Sequence, residues 1–405
     1  MELKKIRISD IGKVVTGKTP RTSIVENYGG DIPFLTPSDD LSYKSVPKTG
    51  KTLTEQGLNE VKNCLLPPHS VCVSCIGSDL GKVVMTSEPT ITNQQFNSII
   101  PNRQFDADFV YYLMTLVGKE LNYLSKTSTA VPIINKSSFS NYEVEVPDLD
   151  TQEKIASILY SLDSKIELNR RINDNLEQQA QSLFKSWFVD NSNPTWHETT
   201  LSEVASFIGG YSYKGEELVD CSNIAMATIK NFGRNGGFKA DGFKGITPSA
   251  KLKGCHYVNM FDILVAHTDL TQNADVIGNA ELLLTYGQYD RIIFSMDLVK
   301  VLPKDSFPYK FLLAVMLKNK IFKGHCLGYV NGTTVLHLNK KALPEYEVRI
   351  PPASEARTMN EALAPYYRQM AEILQENDRL ILLRDTLLPK LMSGELKISE
   401  IEIEK

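Results

Sequence analysis

Two segments of the chain carry apolar residues at alternating steps of three and four, the spacing of a helix that packs along one face. In residues 151–188 these positions are Ile155, Ile158, Leu159, Leu162, Ile166, Leu176, Ala180, Leu183 and Trp187. In the second segment they are Tyr366, Met370, Ile373, Leu380, Leu387 and Leu391. A helix of roughly 35 residues is about 50 Å long. Neither helix is stable alone with its apolar stripe in water, so we expect the two to pack together.

The regions before the two helical segments alternate short apolar runs with turn residues, a pattern typical of strands. The clearest predicted strands are Ile32–Leu35, Val71–Ile76, Asp262–His267 and Arg291–Val301. Short helices are predicted late in each region, at Asp108–Leu116 and Tyr309–Leu317. The expected fold class is therefore α+β, with strands and helices mixed in each globular region.

The chain also contains an internal repeat. Thr129, Val131, Asn135, Lys136, Tyr142, Glu143, Val144 and Pro147 recur 204 positions later as Thr333, Val335, Asn339, Lys340, Tyr346, Glu347, Val348 and Pro351. The same offset continues into the helices, and a fainter match links Ile8–Ile11 with Leu201–Val204. Because there are two long copies and not several short ones, the pattern indicates a duplicated domain with internal pseudo-twofold symmetry.

The repeat divides the chain into four predicted segments. They are a first domain at residues 1–147, a long helix at 148–190, a second domain at 191–350 and a long helix at 351–405. Since a whole domain separates the two helices, an antiparallel coiled coil satisfies both apolar seams.

Asn173 and Asn377 fall at equivalent positions on the two seams. Each asparagine is either simply tolerated with a bound water, or used for contact with a partner, or hydrogen-bonded across the coiled coil. The last interpretation would fix the register of the helix pair, a known use of asparagine at a core position.

The formal net charge of −4 does not favour nucleic-acid binding until it is divided along the chain. Residues 1–147 and 195–350 have balances of 0 and +2, whereas residues 148–194 and 351–405 each have −3. The acidity therefore belongs to the helical segments, and both domains are able to place their bases on one face.

The remaining composition excludes several classes. The six cysteines are scattered, and in the single CxxC, Cys72 and Cys75 point to opposite faces of a predicted strand, so we expect buried thiols and neither disulfides nor a metal site. No apolar run is long enough for a membrane span, and no leader pattern follows the first residues. A cytoplasmic protein without cofactors is the expectation.

Several motifs in this order resemble the specificity subunits of type I restriction-modification systems over essentially the whole chain. They are Ile8-Ser9-Asp10-Ile11, Thr16-Gly17-Lys18-Thr19-Pro20, the exit from Thr129 to Pro147 with Gln152-Glu153, Leu183-Phe184-Lys185-Ser186-Trp187-Phe188, and Leu387-Leu388-Pro389-Lys390-Leu391-Met392-Ser393-Gly394. The second half departs from the pattern, because Gly209-Gly210-Tyr211-Ser212 and Ala356-Arg357 replace the corresponding motifs of the first half.

The resemblance implies two target recognition domains that each read one part of a split, asymmetric sequence in double-stranded DNA. It also implies that the long helices dock two copies of a methyltransferase subunit, that restriction subunits join the assembly, and that this chain is itself non-catalytic. Half-sites one helical turn apart are about 34–36 Å apart, a spacing that helices of this length are able to span.

Loop residues with hydrogen-bonding or basic side chains are the candidates for DNA contact, because such groups read base edges and hold phosphates. In the first domain they are Lys18, Thr19, Arg21, Thr36, Ser38, Ser78, Asn93, Gln94 and Gln95. In the second domain they are Tyr211, Lys230, Arg234, Lys239, His267 and Thr268. For each of them an ordinary solvated turn is the alternative.

Residues 230–253, named the basic loop below, contain six basic residues and one acidic residue, interleaved with Phe232, Phe238 and Phe243. That composition suits a mobile loop laid on phosphates, although a solvated face is the alternative. His267-Thr268-Asp269 follows a predicted strand, where a base-reading role competes with a turn capped by Asp269.

Catalytic alternatives are weak. Asp148, Asp163 and Lys165 loosely match a PD-(D/E)xK nuclease, but Asp163 and Lys165 lie in the predicted helix and the repeat keeps none of the three. No phosphate-binding glycine loop or methyltransferase tetrad occurs. The remaining alternative is a scaffold of two repeated domains that binds protein instead of DNA.

Overall fold

The computed structural model of the chain describes residues 2–77, 79–126, 133–191, 193–234 and 236–398. Thr129 and Val131, which open the sequence repeat, lie outside these ranges. Backbone contacts group the chain into two compact units. One unit runs to Glu167 and resumes at Leu380, and the other is Leu168–Arg379. Both boundaries fall inside the long helices, so the four-segment division stays a prediction made from the sequence.

The first domain is built of short strands around a few helices. Its strands are β1 (Lys4–Arg7), β2 (Gly12–Thr16), β3 (Tyr28–Leu35), β4 (Lys51–Leu53), β5 (Val71–Ser74), β6 (Val83–Met85), β7 (Ile91–Thr92), β8 (Phe96–Pro101) and β9 (Glu143–Val146). Its helices are α1 (Ile8–Ile11), α2 (Glu55–Val61), α3 (Ala107–Lys126) and α4 (Lys136–Ser140). The chain then enters α5 (Leu149–Phe184), which continues as a π-helical turn at Lys185–Asp190.

The second domain has the same kinds of element. Its strands are β10 (His197–Thr200), β11 (Ala205–Gly209), β12 (Ile224–Ala227), β13 (Lys244–Gly245), β14 (Tyr257–Val258), β15 (Ile263–Ala266), β16 (Thr268–Asp269), β17 (Ala280–Leu282), β18 (Arg291–Phe294), β19 (Leu298–Pro303), β20 (Val330–Asn331), β21 (Leu336–Leu338) and β22 (Glu347–Ile350). Its helices are α6 (Leu201–Val204), α7 (Lys310–Leu317) and α8 (Lys320–Leu327), and the chain then enters α9 (Ala353–Ser393).

The sheet topology repeats between the domains. In the first domain β1 pairs with β9, one sheet has the order β2-β8-β5-β6, and another has the order β4-β3-β7 with β3 and β7 parallel. In the second domain β10 pairs with β22, one sheet has the order β11-β19-β15-β17, and another has the order β13-β12-β18-β14 with β12 and β18 parallel. The duplication therefore extends through the regions where the two sequences no longer align.

The α+β expectation is confirmed, with corrections to single elements. The predicted strand Arg291–Val301 is wrong as one strand, because β18 and β19 belong to different sheets and the chain turns between them at residues 295–297. The helix predicted at Asp108–Leu116 extends through Ala107–Lys126. Cys72 and Cys75 are buried in different apolar clusters, as residues three apart on a strand require, and burial raises the pKa of the Cys72 thiol to about 12.

The two long helices pack antiparallel in each unit. In the first unit, Ile155 and Leu159 of α5 share an apolar cluster with Leu388 and Leu391 of α9. In the second unit, the Asn169 amide of α5 donates to Asn377 Oδ1 of α9 at 2.8 Å, and the Asn173 amide, further along α5, donates to the Met370 carbonyl at 3.4 Å. Residue numbers rise along one helix as they fall along the other, which confirms the antiparallel pair.

The two predicted register asparagines do not bond to each other. Asn173 and Asn377 are both buried on the seam, but Asn377 pairs with Asn169, and Asn173 Oδ1 is left without a hydrogen bond. Asparagines at equivalent positions are not level in an antiparallel pair. The residue equivalent to Asn169 in the second copy is Ile373, so Asn173 meets no matching amide there.

A buried charge cluster joins the helices to the first domain. Asp163 of α5 accepts a hydrogen bond from the Tyr112 hydroxyl at 2.7 Å and one from the Arg384 guanidinium at 2.7 Å. Arg384 also bonds its neighbour Asp385 at 2.9 Å. Both carboxylates stabilise the guanidinium, so the pKa of Arg384 is raised although burial opposes the change. Asp163 is therefore a packing carboxylate whose oxygens are both engaged, not a metal ligand of a nuclease.

Candidate nucleic-acid interface

Four loops of the first domain meet at one edge of its sheets. The Lys18 N–H, just after β2, donates to the Thr92 carbonyl at the end of β7 at 2.9 Å. The Asn93 N–H, just after β7, donates to Leu35 at the end of β3 at 3.0 Å. The Cys75 N–H, just after β5, donates to the Gln95 carbonyl at 2.7 Å. The loops after β2, β3, β5 and β7 thus form one surface, named the first-domain loop cluster.

A glycine makes the close approach of two of these loops possible. A Cβ atom at Gly17 would lie 2.1 Å from the Asn93 carbonyl oxygen, a separation that no side chain tolerates. The second domain repeats the arrangement, since a Cβ atom at Gly210 would lie 2.0 Å from the Ser295 carbonyl oxygen. The glycines of the two sequence motifs therefore serve packing of backbone against backbone.

The polar candidates in this cluster hold one another. The Thr19 hydroxyl donates to Gln94 Oε1 at 2.6 Å, and the Asn93 amide donates to Gln95 Oε1 at 2.8 Å. Asn93 is buried, whereas Lys18 and Gln94 are exposed and Thr19 and Gln95 are half-buried. The cluster therefore presents Lys18 and Gln94 to solvent on a base of ordered side chains.

The loop after β3 is a capped turn. Asp39 Oδ2 accepts from the Thr36 N–H at 2.7 Å, and its other oxygen accepts from the Gly50 N–H at 2.6 Å. The Thr36 and Ser38 hydroxyls lie 2.7 Å apart. Thr36 and Ser38 thus belong to the same surface as the other candidates, and Asp39 holds their turn. Ser78, a further candidate, lies outside the described residues.

Arg21 is engaged by an acid of the same domain. Its N–H, Nε and Nη2 donate to the Glu60 carboxylate at 3.0, 3.0 and 2.7 Å. These hydrogen bonds lower the pKa of Glu60 to about 2. The guanidinium of Arg21 is exposed, but its charge is matched by Glu60.

The second domain assembles its loops with equivalent hydrogen bonds. The Tyr211 N–H donates to Phe294 at 2.7 Å, as Lys18 does to Thr92. The Ser295 N–H donates to Ala227 at 2.9 Å, and the His267 N–H donates to Asp297 at 2.8 Å. Tyr211 and His267 thus occupy the places of Lys18 and Cys75, and the turn at 295–297 occupies the place of residues 93–95.

Tyr211 and Thr268 are buried at this edge. Tyr211 is 1% exposed, and its hydroxyl donates to Glu217 at 2.6 Å and lies 2.9 Å from the Ser249 hydroxyl. Thr268 lies 3.5 Å from His337 Nδ1. These side chains hold the loops together, whereas the half-buried His267 remains at the surface.

The pKa values of His267 and Asp269 are both lowered, which favours a neutral imidazole at His267 and a charged carboxylate at Asp269. Burial lowers the pKa of His267, and the nearby His337 and Lys340 add to the effect, so the imidazole is neutral at pH 7. Burial favours the neutral form of Asp269, but backbone N–H groups of Val276 and Ile277 among others lower its pKa overall. The structure thus contains the turn capped by Asp269 that the sequence suggested as the alternative.

The basic loop is packed through its aromatic residues. Phe232 is buried, the rings of Phe238 and Phe243 pack at an angle of 59° with centroids 5.6 Å apart, and the ring of Tyr289 meets Phe243 edge to face with centroids 6.1 Å apart. The aromatic rings face the domain core, while the lysine and arginine side chains lie at the surface. The exposed bases are Lys230, Arg234, Lys239, Lys251 and Lys253. The described part of this loop therefore packs against the domain through its aromatic residues, and the expectation that the loop is mobile stays a prediction.

The sequence reasoning missed Met296, which lies at the tip of the turn equivalent to Gln94 and is 54% exposed. The signal was present, because Ser295 and Asp297 interrupt an otherwise apolar run. The described ranges contain no group of three His, Cys, Asp or Glu residues arranged to hold a metal ion. Across the same ranges, every helix is too short or too polar to cross a membrane.

Comparisons with known proteins cover both domains. A family model described as "Type I restriction modification DNA specificity domain" matches residues 1–178 and 193–383. The MjaIX specificity subunit of a type I restriction enzyme from Methanocaldococcus jannaschii is 28% identical over 433 aligned positions, covering 99% of this chain and 94% of that protein. The HindI specificity subunit from Haemophilus influenzae is 36% identical over 174 positions, covering 41% of this chain and 38% of that protein. A crystal structure of the type I restriction-modification S subunit from M. genitalium aligns with 96% of each chain, with 18% identity and a TM-score of 0.48.

Proposed function

The chain belongs to the family of type I restriction-modification DNA specificity subunits, and from that premise we propose that its two domains read the two parts of a split, asymmetric DNA sequence. As a specificity subunit it is a non-catalytic component of a type I restriction-modification complex. The division of one site between two readers is the part that we propose.

One observation carries the proposal. Both domains bring the loops after equivalent strands together through the same backbone hydrogen bonds, yet the side chains on those loops differ. A shared scaffold with different loops is the arrangement expected of two readers of unrelated short sequences. Two copies of one protein-binding surface would be expected to keep their side chains alike.

In the first domain we propose that exposed Lys18 and Gln94 contact DNA directly, with Thr19, Asn93 and Gln95 holding them in place. The remaining candidates of this domain are Arg21, Thr36, Ser38 and Ser78. Arg21 is the weakest candidate for phosphate contact, because Glu60 already matches its charge.

In the second domain we propose that the basic loop lies on phosphates through Lys230, Arg234 and Lys239, and that His267 lies beside the DNA bases. Arg234 remains a candidate although its Nε lies 3.8 Å from Asp275 Oδ2, because that ion pair is longer than the 2.7 Å pair that engages Arg21. A neutral imidazole is suited to hydrogen-bond a base edge, since it offers one donor and one acceptor. For the buried Tyr211 and Thr268 we propose a supporting role in the same surface.

We further propose that the complex contains two methyltransferase subunits docked on the long helices, together with restriction subunits, and that it acts in the cytoplasm on genomic DNA. The duplication supports two copies, because a pseudo-twofold chain offers each docking surface twice.

The test is to express the chain with its methyltransferase subunit and map methylated adenines across the host genome. A two-part motif with a fixed gap is the expected result. A single contiguous motif would contradict the two-reader proposal. Absence of any motif, together with absence of salt-dependent binding to duplex DNA, would favour the protein-binding scaffold.

A further inference from the structure

The basic loop contains a tight turn, and both ends of this turn are hydrogen-bonded to side chains at one strand, β17. The Gly233 N–H donates to the Gly237 carbonyl at 2.9 Å, which closes the turn. The Asn279 amide donates to the Gly233 carbonyl at 2.9 Å, and Glu281 Oε1 accepts from the Gly237 N–H at 2.6 Å. Asn279 directly precedes β17 and Glu281 lies within it, and residues two apart along extended backbone point to the same face. The strand therefore holds both ends of the turn.

The turn depends on glycine. Gly236 and Gly237 have φ angles of +89° and +90°, a region that other residues rarely occupy. Such a turn has little intrinsic preference for one shape, because glycine loses more conformational freedom on folding than any other residue. External contacts must therefore select the conformation, and the structure supplies them at Gly233 and Gly237.

Each of the two side chains that bind the turn, Asn279 and Glu281, also contacts a lysine. Lys323 Nζ donates to Asn279 Oδ1 at 2.8 Å. Lys318 Nζ lies 2.5 Å from Glu281 Oε2, and its other ion pair is with Glu177 of α5 at 3.0 Å. The side chains of Lys318 and Glu281 are only 6% and 4% exposed. Burial would lower the pKa of Lys318, but the two carboxylates raise it, so the lysine remains charged.

We propose that Asn279 and Glu281 are positioning residues for DNA recognition. They fix the glycine turn of the basic loop, so that the lysine and arginine side chains of the loop meet one part of the DNA site in a preset arrangement. The inference rests on the proposed DNA contact of the basic loop. A loop that is fixed before binding loses less conformational entropy when it binds DNA, and it holds its basic side chains in one register. Neither residue needs to touch DNA for this role.

The variant Glu281→Gln separates this role from simple packing. Glutamate accepts hydrogen bonds on both oxygens, whereas glutamine has one acceptor and one donor. Whichever way the amide is turned, its NH2 group faces either the Gly237 N–H or Lys318. Asn279→Asp is the second variant, because it removes the donor to Gly233 and keeps an acceptor for Lys323. The matched control is Glu177→Gln, which takes the same charge from Lys318 without any contact to the turn.

The first measurement is hydrogen exchange in the full chain without DNA. We expect Glu281→Gln and Asn279→Asp to raise amide exchange at Gly236, Gly237 and the following loop residues by about 3- to 10-fold, the effect of one lost hydrogen bond. Glu177→Gln should leave those amides unchanged even if it lowers thermal stability. Unchanged exchange in both test variants would overturn the proposal.

The second measurement is the genome methylation map of each variant expressed with its methyltransferase subunit. The part of the motif read by the second domain is identified as the part that relaxes when His267, which we propose lies beside the DNA bases, is replaced by alanine, because phosphate contacts alone carry no sequence information. We expect the two positioning variants to relax that same part and leave the other part unchanged. Equal loss in both parts, or loss in Glu177→Gln as well, would show a general stability effect and overturn the proposal. If replacing Lys230, Arg234 and Lys239 leaves the salt dependence of DNA binding unchanged, the proposed DNA contact of the loop fails first and the inference fails with it.

Discussion

Replacing Lys230, Arg234 and Lys239 with glutamine removes three exposed positive charges from the basic loop without touching its buried aromatic residues. If each of the three basic side chains neutralises one phosphate, the variant releases three fewer counterions when it binds DNA. The slope of log K against log salt for duplex DNA should then become shallower by about 2.7, from a factor of about 0.9 per contact. Between 50 and 200 mM salt, the unmodified chain should lose about 40-fold more affinity than the variant does.

The assay is fluorescence anisotropy of the full chain with a random-sequence duplex, titrated in both salts. A triple variant of Lys304, Lys310 and Arg349 to glutamine is the control. Lys304 and Lys310 follow β19 at the end opposite to the turn at residues 295–297, and Arg349 lies in β22. The control should keep the original slope. Equal slopes for the loop variant and the unmodified chain would refute phosphate contact by this loop, and equal losses in both variants would show only an effect of net charge.

Three further predictions concern the helices. Arg384→Met leaves the buried Asp163 with Tyr112 as its remaining partner and should cost about 3–5 kcal/mol in a denaturant titration, whereas adding Asp163→Asn should recover part of that loss. Replacing both Asn169 and Asn377 with leucine should raise the thermal midpoint of unfolding while weakening the selection of one register, seen as heterogeneous cross-linking between the helices. Inserting one heptad into each long helix lengthens each by about 10 Å. The gap in the methylated motif should then widen by about three base pairs or methylation should stop, and an unchanged gap would contradict the spacer role.

The long helices were predictable because their signal is local. Apolar steps of three and four mark a buried face wherever the partner lies, and antiparallel packing followed from connectivity. The partner of each seam asparagine was not predictable from the repeat. Equivalent residues such as Asn173 and Asn377 differ by one helical turn in level, so Asn377 reaches Asn169. Pairing between antiparallel helices depends on where the pseudo-twofold axis crosses them, which similarity between the copies does not encode.

The strand order could not be derived, because it depends on contacts between residues far apart in the chain. β12 lies beside β18, with Ile224 opposite Arg291, across a segment whose two copies differ in length. The turn at residues 295–297 escaped notice for a related reason. Its polar residues are few, and only the position of β19 in a different sheet from β18 reveals that the chain turns there.

The candidate site was predictable as a set of loops but not as a set of free side chains. The loops after β2, β3, β5 and β7 do come together, since sheet pairing carries their strand ends to one edge. Which side chain remains available depends on a distant partner. Arg21 meets Glu60 on α2, and Tyr211 meets Glu217 and Ser249, pairings that neither composition nor motif reveals.

We infer from the different charge of equivalent loops that the two domains hold DNA by different means. The loop after β3 carries Asp39 and Asp40 against Lys44 and Lys48, whereas the loop after β12 begins the basic loop. On the contacts that we propose, the first domain relies on Lys18, polar side chains and backbone N–H groups, so we expect it to release few counterions. The second domain is then expected to supply most of the salt-dependent affinity, and the first to supply contacts that salt hardly changes. For this reason Lys18→Gln should make the salt slope shallower by about 0.9, against about 2.7 for the basic-loop variant in the same anisotropy assay, and equal changes in the two variants would contradict this division.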